Sequence, residues 1–125
     1  MGKTELALRV WRRYLFVRRA VTRTPLPRLT RELAETTAPR RQHPPYLLSY
    51  AVGRSLRIGR YQPRCLISAL VLYRLLREQG DDAVLVIGLP AEARDHKAHA
   101  WVELNGCDVG PPPGKGQHAA FARYP

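Results

Sequence analysis

RCLISALVLYRLLREQGDDAVLVIG, residues 64–88, decides the fold. Pro63 discourages a helix before it, so the predicted helix starts at or near Cys65. Leu66, Ala69, Leu70, Tyr73 and Leu76 recur at helical spacing, and Val71, Leu72 and Leu75 are apolar too. A helix apolar around most of its circumference belongs in the middle of its domain. Arg74, Arg77, Glu78 and Gln79 mark its wet end, and Gly80 is a natural stop. Ala83 to Ile87 reads as a buried strand closed by Gly88.

Working outward, a polar connection, Leu89 to Lys97, leads to a second strand from Ala98 to Leu104. Asn105-Gly106 predicts a two-residue type I′ hairpin turn, and Cys107 to Gly110 returns as a third strand. Pro111, Pro112 and Pro113 end it, because proline cannot donate to a ladder. By strand alternation His99, Trp101 and Glu103 share one face, and Ala100, Val102 and Leu104 the other. The second set is apolar and belongs against a core. The first suits the wall of a cleft, with Trp101 as its flat side.

A thiol at a helix N-terminus lies among unpaired backbone N–H groups and the positive end of the helix dipole. Both favour the nucleophilic thiolate. Cys65 has that position, although many free cysteines are simply small buried hydrophobes. A histidine on the following strand can take the proton of such a thiol, which makes Cys65 and His99 the candidate couple.

These segments carry a resemblance. The order C-L-x-x-A-L-x-L-x-x-L-L-x-x-x-G (Cys65–Gly80), then A-x-L-x-I-G (Ala83–Gly88), then A-H-A-W-V-E-x-x-G (Ala98–Gly106) resembles the transglutaminase-like leader peptidases of lasso-peptide biosynthesis. The resemblance covers the C-terminal half. It implies a small papain/transglutaminase-like α+β fold whose cysteine starts a central helix packed on an antiparallel sheet carrying the histidine. The implied activity is removal of the leader from a ribosomally made precursor peptide, before a separate cyclase closes the macrolactam. Cys65 would be the nucleophile and His99 the general base. The implied partners are the precursor leader, a separate leader-recognition protein and the cyclase.

The family's triad ends in an acid on the strand after the turn, expected near Pro111 or Pro112, and the sequence there is DVGPPP. Asp108 is the nearest carboxylate. With a tight turn it pairs with Glu103, four residues or ~13 Å along the strand from His99. Three possibilities stay open: a Cys-His dyad, another group orienting the imidazole, or a non-catalytic scaffold that keeps the fold. The Cys65 N–H is a candidate oxyanion donor and the Gln62 side chain a second one.

At 125 residues the chain is expected to be one domain, 1–125. It lacks a run of 18 apolar residues and the clean apolar core of a secretory signal, so a cytoplasmic location is expected. Cys65 and Cys107 are then free thiols by default. CxxC, HExxH and a glycine-rich phosphate loop are absent from the sequence, and His96 and His118 lack metal-ligand spacing, so no metal and no cofactor is expected.

Residues 1–64 hold fifteen Lys/Arg against three acids, whereas residues 65–125 hold six against seven. The basic half is a candidate docking surface. Nucleic acid is not the expected partner, because the aromatics sit at helical core spacing rather than interleaved with arginines on strands. Thr4 to Arg23 reads as an amphipathic helix with Val10, Tyr14, Val17 and Val21 beside Leu8, Trp11 and Leu15. Its stripe has three possible destinations: the domain core, a partner, or anionic lipid. Pro25 and Pro27 precede a short helix to about Thr37, residues 38–45 form a loop with a solvated His43, and a third helix runs from Tyr46 to Ile58, stopped by Gly59. This helical half is expected to wrap the catalytic unit. The tail from Gly110 is expected to be loop with at most one helical turn at Ala119 to Arg123.

Overall fold

The computed structural model describes residues 3–35, 43–56, 65–90, 99–110 and 118–125. Four helices, α1 (Lys3–Val21), α2 (Leu26–Ala34), α3 (Pro45–Ser55) and α4 (Cys65–Glu78), precede four strands. These are β1 (Ala83–Pro90), β2 (His99–Leu104), β3 (Cys107–Gly110) and β4 (His118–Tyr124). They form one antiparallel sheet in the order β3-β2-β1-β4, giving the expected α+β class.

α4 is the central element. Ala69, Leu70, Val71, Leu72, Tyr73, Leu75 and Leu76 are all wholly buried. Such a helix needs neighbours on every side, and α1, α2, α3, β1 and β2 all pack against it. It ends as the sequence predicts. Gly80 has φ 93°, its N–H donates to Arg77 O, and Asp81 N–H donates to Leu76 O, which is the paired closure of a helix end on a left-handed glycine. The chain reverses there and β1 starts at Ala83.

β1 and β2 pair from Ala83↔Leu104 to Gly88↔His99. Ala83, Leu85, Ala100 and Val102 join the core cluster with the helices, and Ile87 packs on it. Asn105 (φ 54°) and Gly106 (φ 82°) form the two-residue turn, both with the positive φ that a type I′ hairpin requires.

α1 goes to the core. Leu6, Val10, Tyr14 and Val17 are buried, and Trp11 and Val21 pack against the cluster. The buried stripe is narrower than expected: Leu8 and Leu15 face outward, as does Phe16. Polar contacts fix α1 and α2 on α4. The Glu78 carboxylate receives Arg74 Nε at 2.7 Å and Arg9 Nη2 at 3.3 Å, and pairs with Arg13. Arg74 Nη1 donates to Leu33 O (2.8 Å) and Glu35 O (2.9 Å), closing the C-terminal carbonyls of α2.

Gln79 is not a wet end but is buried. Its Nε2 donates to His43 O and Asp81 Oδ2, both at 2.7 Å, and its Oε1 accepts His43 N–H at 3.3 Å. His43 is accordingly half-buried rather than solvated, because its backbone is clamped to the end of α4. The largest departure is β4. The expected tail loop is instead a strand pairing with β1, with a bulge between Ile87 and Gly88. Residues 36–37 at the end of the expected short helix, residues 38–42 of the expected loop, Ile58, Gly59, the connection at 91–97, Ala98 and Pro111 to Pro113 lie outside the described residues.

Two stability measurements follow. Glu78→Gln removes the shared partner of three guanidinium groups and is expected to cost about 1–3 kcal/mol in urea unfolding. Breaking the exposed Arg28–Glu32 pair is expected to cost no more than about 0.5 kcal/mol. Tyr73 is wholly buried, and its hydroxyl has no hydrogen-bond partner among the described residues. Burial raises its pKa above the ordinary 10.0, with Arg77 opposing. As pH climbs past that ordinary value the unfolded chain sheds this proton first, so stability falls. Tyr73→Phe is expected to raise stability by about 1 kcal/mol at neutral pH and to flatten the loss at alkaline pH, read from denaturation midpoints across that range.

Candidate active site

Cys65 is the first residue of α4. The first helical residues have no intrahelical acceptors for their N–H groups, so this position carries the partial positive charge of the helix start. Only the backbone of Cys65 is described, and Gln62 lies outside the described residues.

His99 is the first residue of β2. The chain path runs from the Cys65 end of α4 to its far end and back along β1 toward His99. α4 spans ~20 Å from Cys65 to Glu78. The closure at Gly80 then turns the chain back, and β1 retraces ~17 Å from Ala83 to Gly88, packed on the same helix. Gly88 is the register partner of His99. The histidine strand therefore starts where β1 has run back along the helix from its far end.

Alternation sets the surroundings of the imidazole. His99, Trp101 and Glu103 share a face with their partners Gly88, Val86 and Val84, away from the α4 core. Gly88 puts no side chain beside the ring. The Trp101 indole lies 6.2 Å away between centroids, tilted by 32°. Trp101 is not the open cleft wall that the alternation suggests. It is wholly buried, and its Nε1–H donates to Glu103 Oε2 at 3.0 Å. It backs the half-buried His99 instead of offering a surface.

Glu103 is the residue whose role the sequence did not disclose. It is buried, accepts the indole N–H, and lies 3.6 Å from Arg123 Nη2. Arg123 belongs to β4 and is the register partner of Val86 on β1, so the ion pair crosses the middle strand. Only the existence of β4 brings the two together.

Asp108 stands opposite Glu103, as a tight turn requires. The ladder has a bulge between Val102 and Glu103, where Val102 pairs with Gly110 and Val109 is the extra residue. That bulge lengthens β3 on the far side of Asp108 and brings it no nearer His99. Asp108 is exposed and its Oδ1 accepts Gly110 N–H at 2.8 Å, a local turn contact. The structure does not bring Asp108 to His99. Cys107 is a free, exposed thiol. Among the described residues, no group of three His, Cys, Asp or Glu is placed to hold a metal ion.

A family model described as the Transglutaminase-like superfamily matches residues 3–123, the helical half as well as the Cys- and His-bearing half. No curated protein and no solved structure matches the chain.

The indole–carboxylate contact has its own test. Glu103→Ala strands a buried N–H and is expected to cost about 1–3 kcal/mol. Glu103→Gln keeps an acceptor oxygen and is expected to cost less. Thermal unfolding of the two variants, with Trp fluorescence as the local probe, separates them.

Proposed function

The chain belongs to the transglutaminase-like superfamily, which includes cysteine peptidases, and from that premise we propose that it is a cysteine peptidase that removes the leader of a ribosomally made lasso precursor peptide. What supports it is the chain path: a cysteine opens the central helix, and a histidine on β2 pairs with Gly88 after β1 has run back along that helix. In this proposal His99 takes the thiol proton, and the Cys65 sulfur attacks the scissile carbonyl. His99 then returns the proton to the departing amine, and water releases the acyl group from sulfur. The Cys65 N–H donates to the oxyanion, with Gln62 as the second donor. The leader is presented by a separate recognition protein, the freed core passes to the cyclase, and the setting is the cytoplasm.

Asp108 is not required in this scheme. The register at Glu103 and the local contact to Gly110 favour a Cys-His couple oriented by other groups. The same register favours the second reading, a scaffold that binds precursor and cyclase without chemistry.

Mass spectrometry of the precursor, incubated with the recognition protein and this chain, tests both. The peptidase predicts leader release that falls to background in Cys65→Ala and in His99→Ala, with the partner complex still formed. Asp108→Asn is expected to change release little. A loss on the order of a thousandfold or more would put Asp108 in the catalytic set. No release by the intact chain, with the complex formed, selects the scaffold.

A further inference from the structure

α1 has two faces with different destinations. Leu6, Val10, Tyr14 and Val17 are spent on the core. At 100° per residue, Leu8, Arg12, Leu15, Phe16 and Arg19 fall along the opposite side. There Leu8 is 58% exposed, Leu15 59% and Phe16 53%. No described helix or strand covers them. One such side chain would be ordinary on a surface; three within ~12 Å of one helix form a patch.

The cations of this helix divide the same way. Arg9 and Arg13 are engaged with Glu78. Arg12, Arg18 and Arg19 are exposed and enter no ion pair among the described residues. Against them α1 has one carboxylate, Glu5. Arg23, just past the helix, and Arg31 on α2 are exposed as well.

Where the arginines sit decides the occupant. Arg12 and Arg19 lie in the middle of the apolar stripe, not around its rim. A protein partner covering Leu8, Leu15 and Phe16 would have to desolvate both guanidiniums and match each with a well-placed carboxylate, since a buried charge left unpaired is strongly destabilising. At a phospholipid surface the conflict disappears. The long arginine stems let the charges stay at the hydrated phosphates while leucine and phenylalanine reach the acyl boundary. No described helix is long and apolar enough to cross a membrane, so the contact is in-plane. From this we infer that the outward face of α1 docks the chain on an anionic phospholipid surface, independently of the chemistry at Cys65.

Vesicle co-sedimentation of the intact chain tests it, with phosphatidylcholine vesicles with and without phosphatidylglycerol, at low and high salt. Binding to the anionic vesicles alone, released by salt, is expected. Arg12→Gln with Arg19→Gln is expected to weaken it by about tenfold or more. Leu15→Ser with Phe16→Ser, and Leu8→Ser by itself, are expected to weaken it as well. These positions are off the core, and circular dichroism checks that each variant stays folded. Tyr46→Ser, an exposed change on α3, is expected to leave binding intact. Absence of binding, equal binding to neutral vesicles, or binding indifferent to the Leu and Phe changes overturns the inference. So does a chain that ignores vesicles but captures poly-glutamate through Arg12 and Arg19, which selects an acidic protein partner.

Discussion

Burial of α4 on every side is the constraint from which the architecture follows. Seven of its residues between Ala69 and Leu76 are wholly buried. Each large aliphatic side chain so buried contributes roughly 1.5–3 kcal/mol, so no arrangement that leaves one side of this helix wet competes. Two layers are needed to close around it. The sheet supplies one through Leu85, Ala100 and Val102, and α1 to α3 supply the other. The basic N-terminal half is thus not an appendage: removing α1 would uncover the core that Val10, Tyr14 and Val17 cover.

A buried cylinder fixes neither the rotation nor the height of the helices around it. Directional contacts at its C-terminal end do. Glu78 gathers Arg9, Arg13 and Arg74, and Arg74 in turn holds the last carbonyls of α2. One residue further, Gln79 clamps the backbone of His43 at the entry to α3. All three outer helices are therefore pinned at the end of α4 away from Cys65. The helix start is left without such a lock among the described residues, and it is toward that end that β1 runs back to pair with His99.

What was legible in the sequence was local. The α4 pattern, the stop at Gly80, the Asn105-Gly106 turn and the Glu103↔Asp108 register each depend on a few neighbouring residues, whose chemistry admits few alternatives. What was not legible depended on distant pairing. HAAFARY has three alanines, follows a glycine- and proline-rich stretch, and becomes a strand because β1 offers it a ladder. Gln79 and His43 look solvated one at a time, yet each satisfies the other's backbone or amide groups across 36 positions. Alternation correctly grouped His99, Trp101 and Glu103. It could not tell that Trp101 would be enclosed, because that needs Glu103 to accept its N–H and Arg123 to sit nearby from β4.

The same alternation sharpens the chemistry. His99 lies on the sheet face turned from the helical core, so a sulfur from the first turn of α4 meets it only by coming round the end of the sheet. One feature of His99 favours that approach. Its register partner is Gly88, which adds no side chain beside the ring. Behind the ring the indole of Trp101 is held by a buried carboxylate, which leaves the imidazole little freedom on that side. In the proposed couple, packing against Trp101 would do part of the orienting that a triad acid does elsewhere.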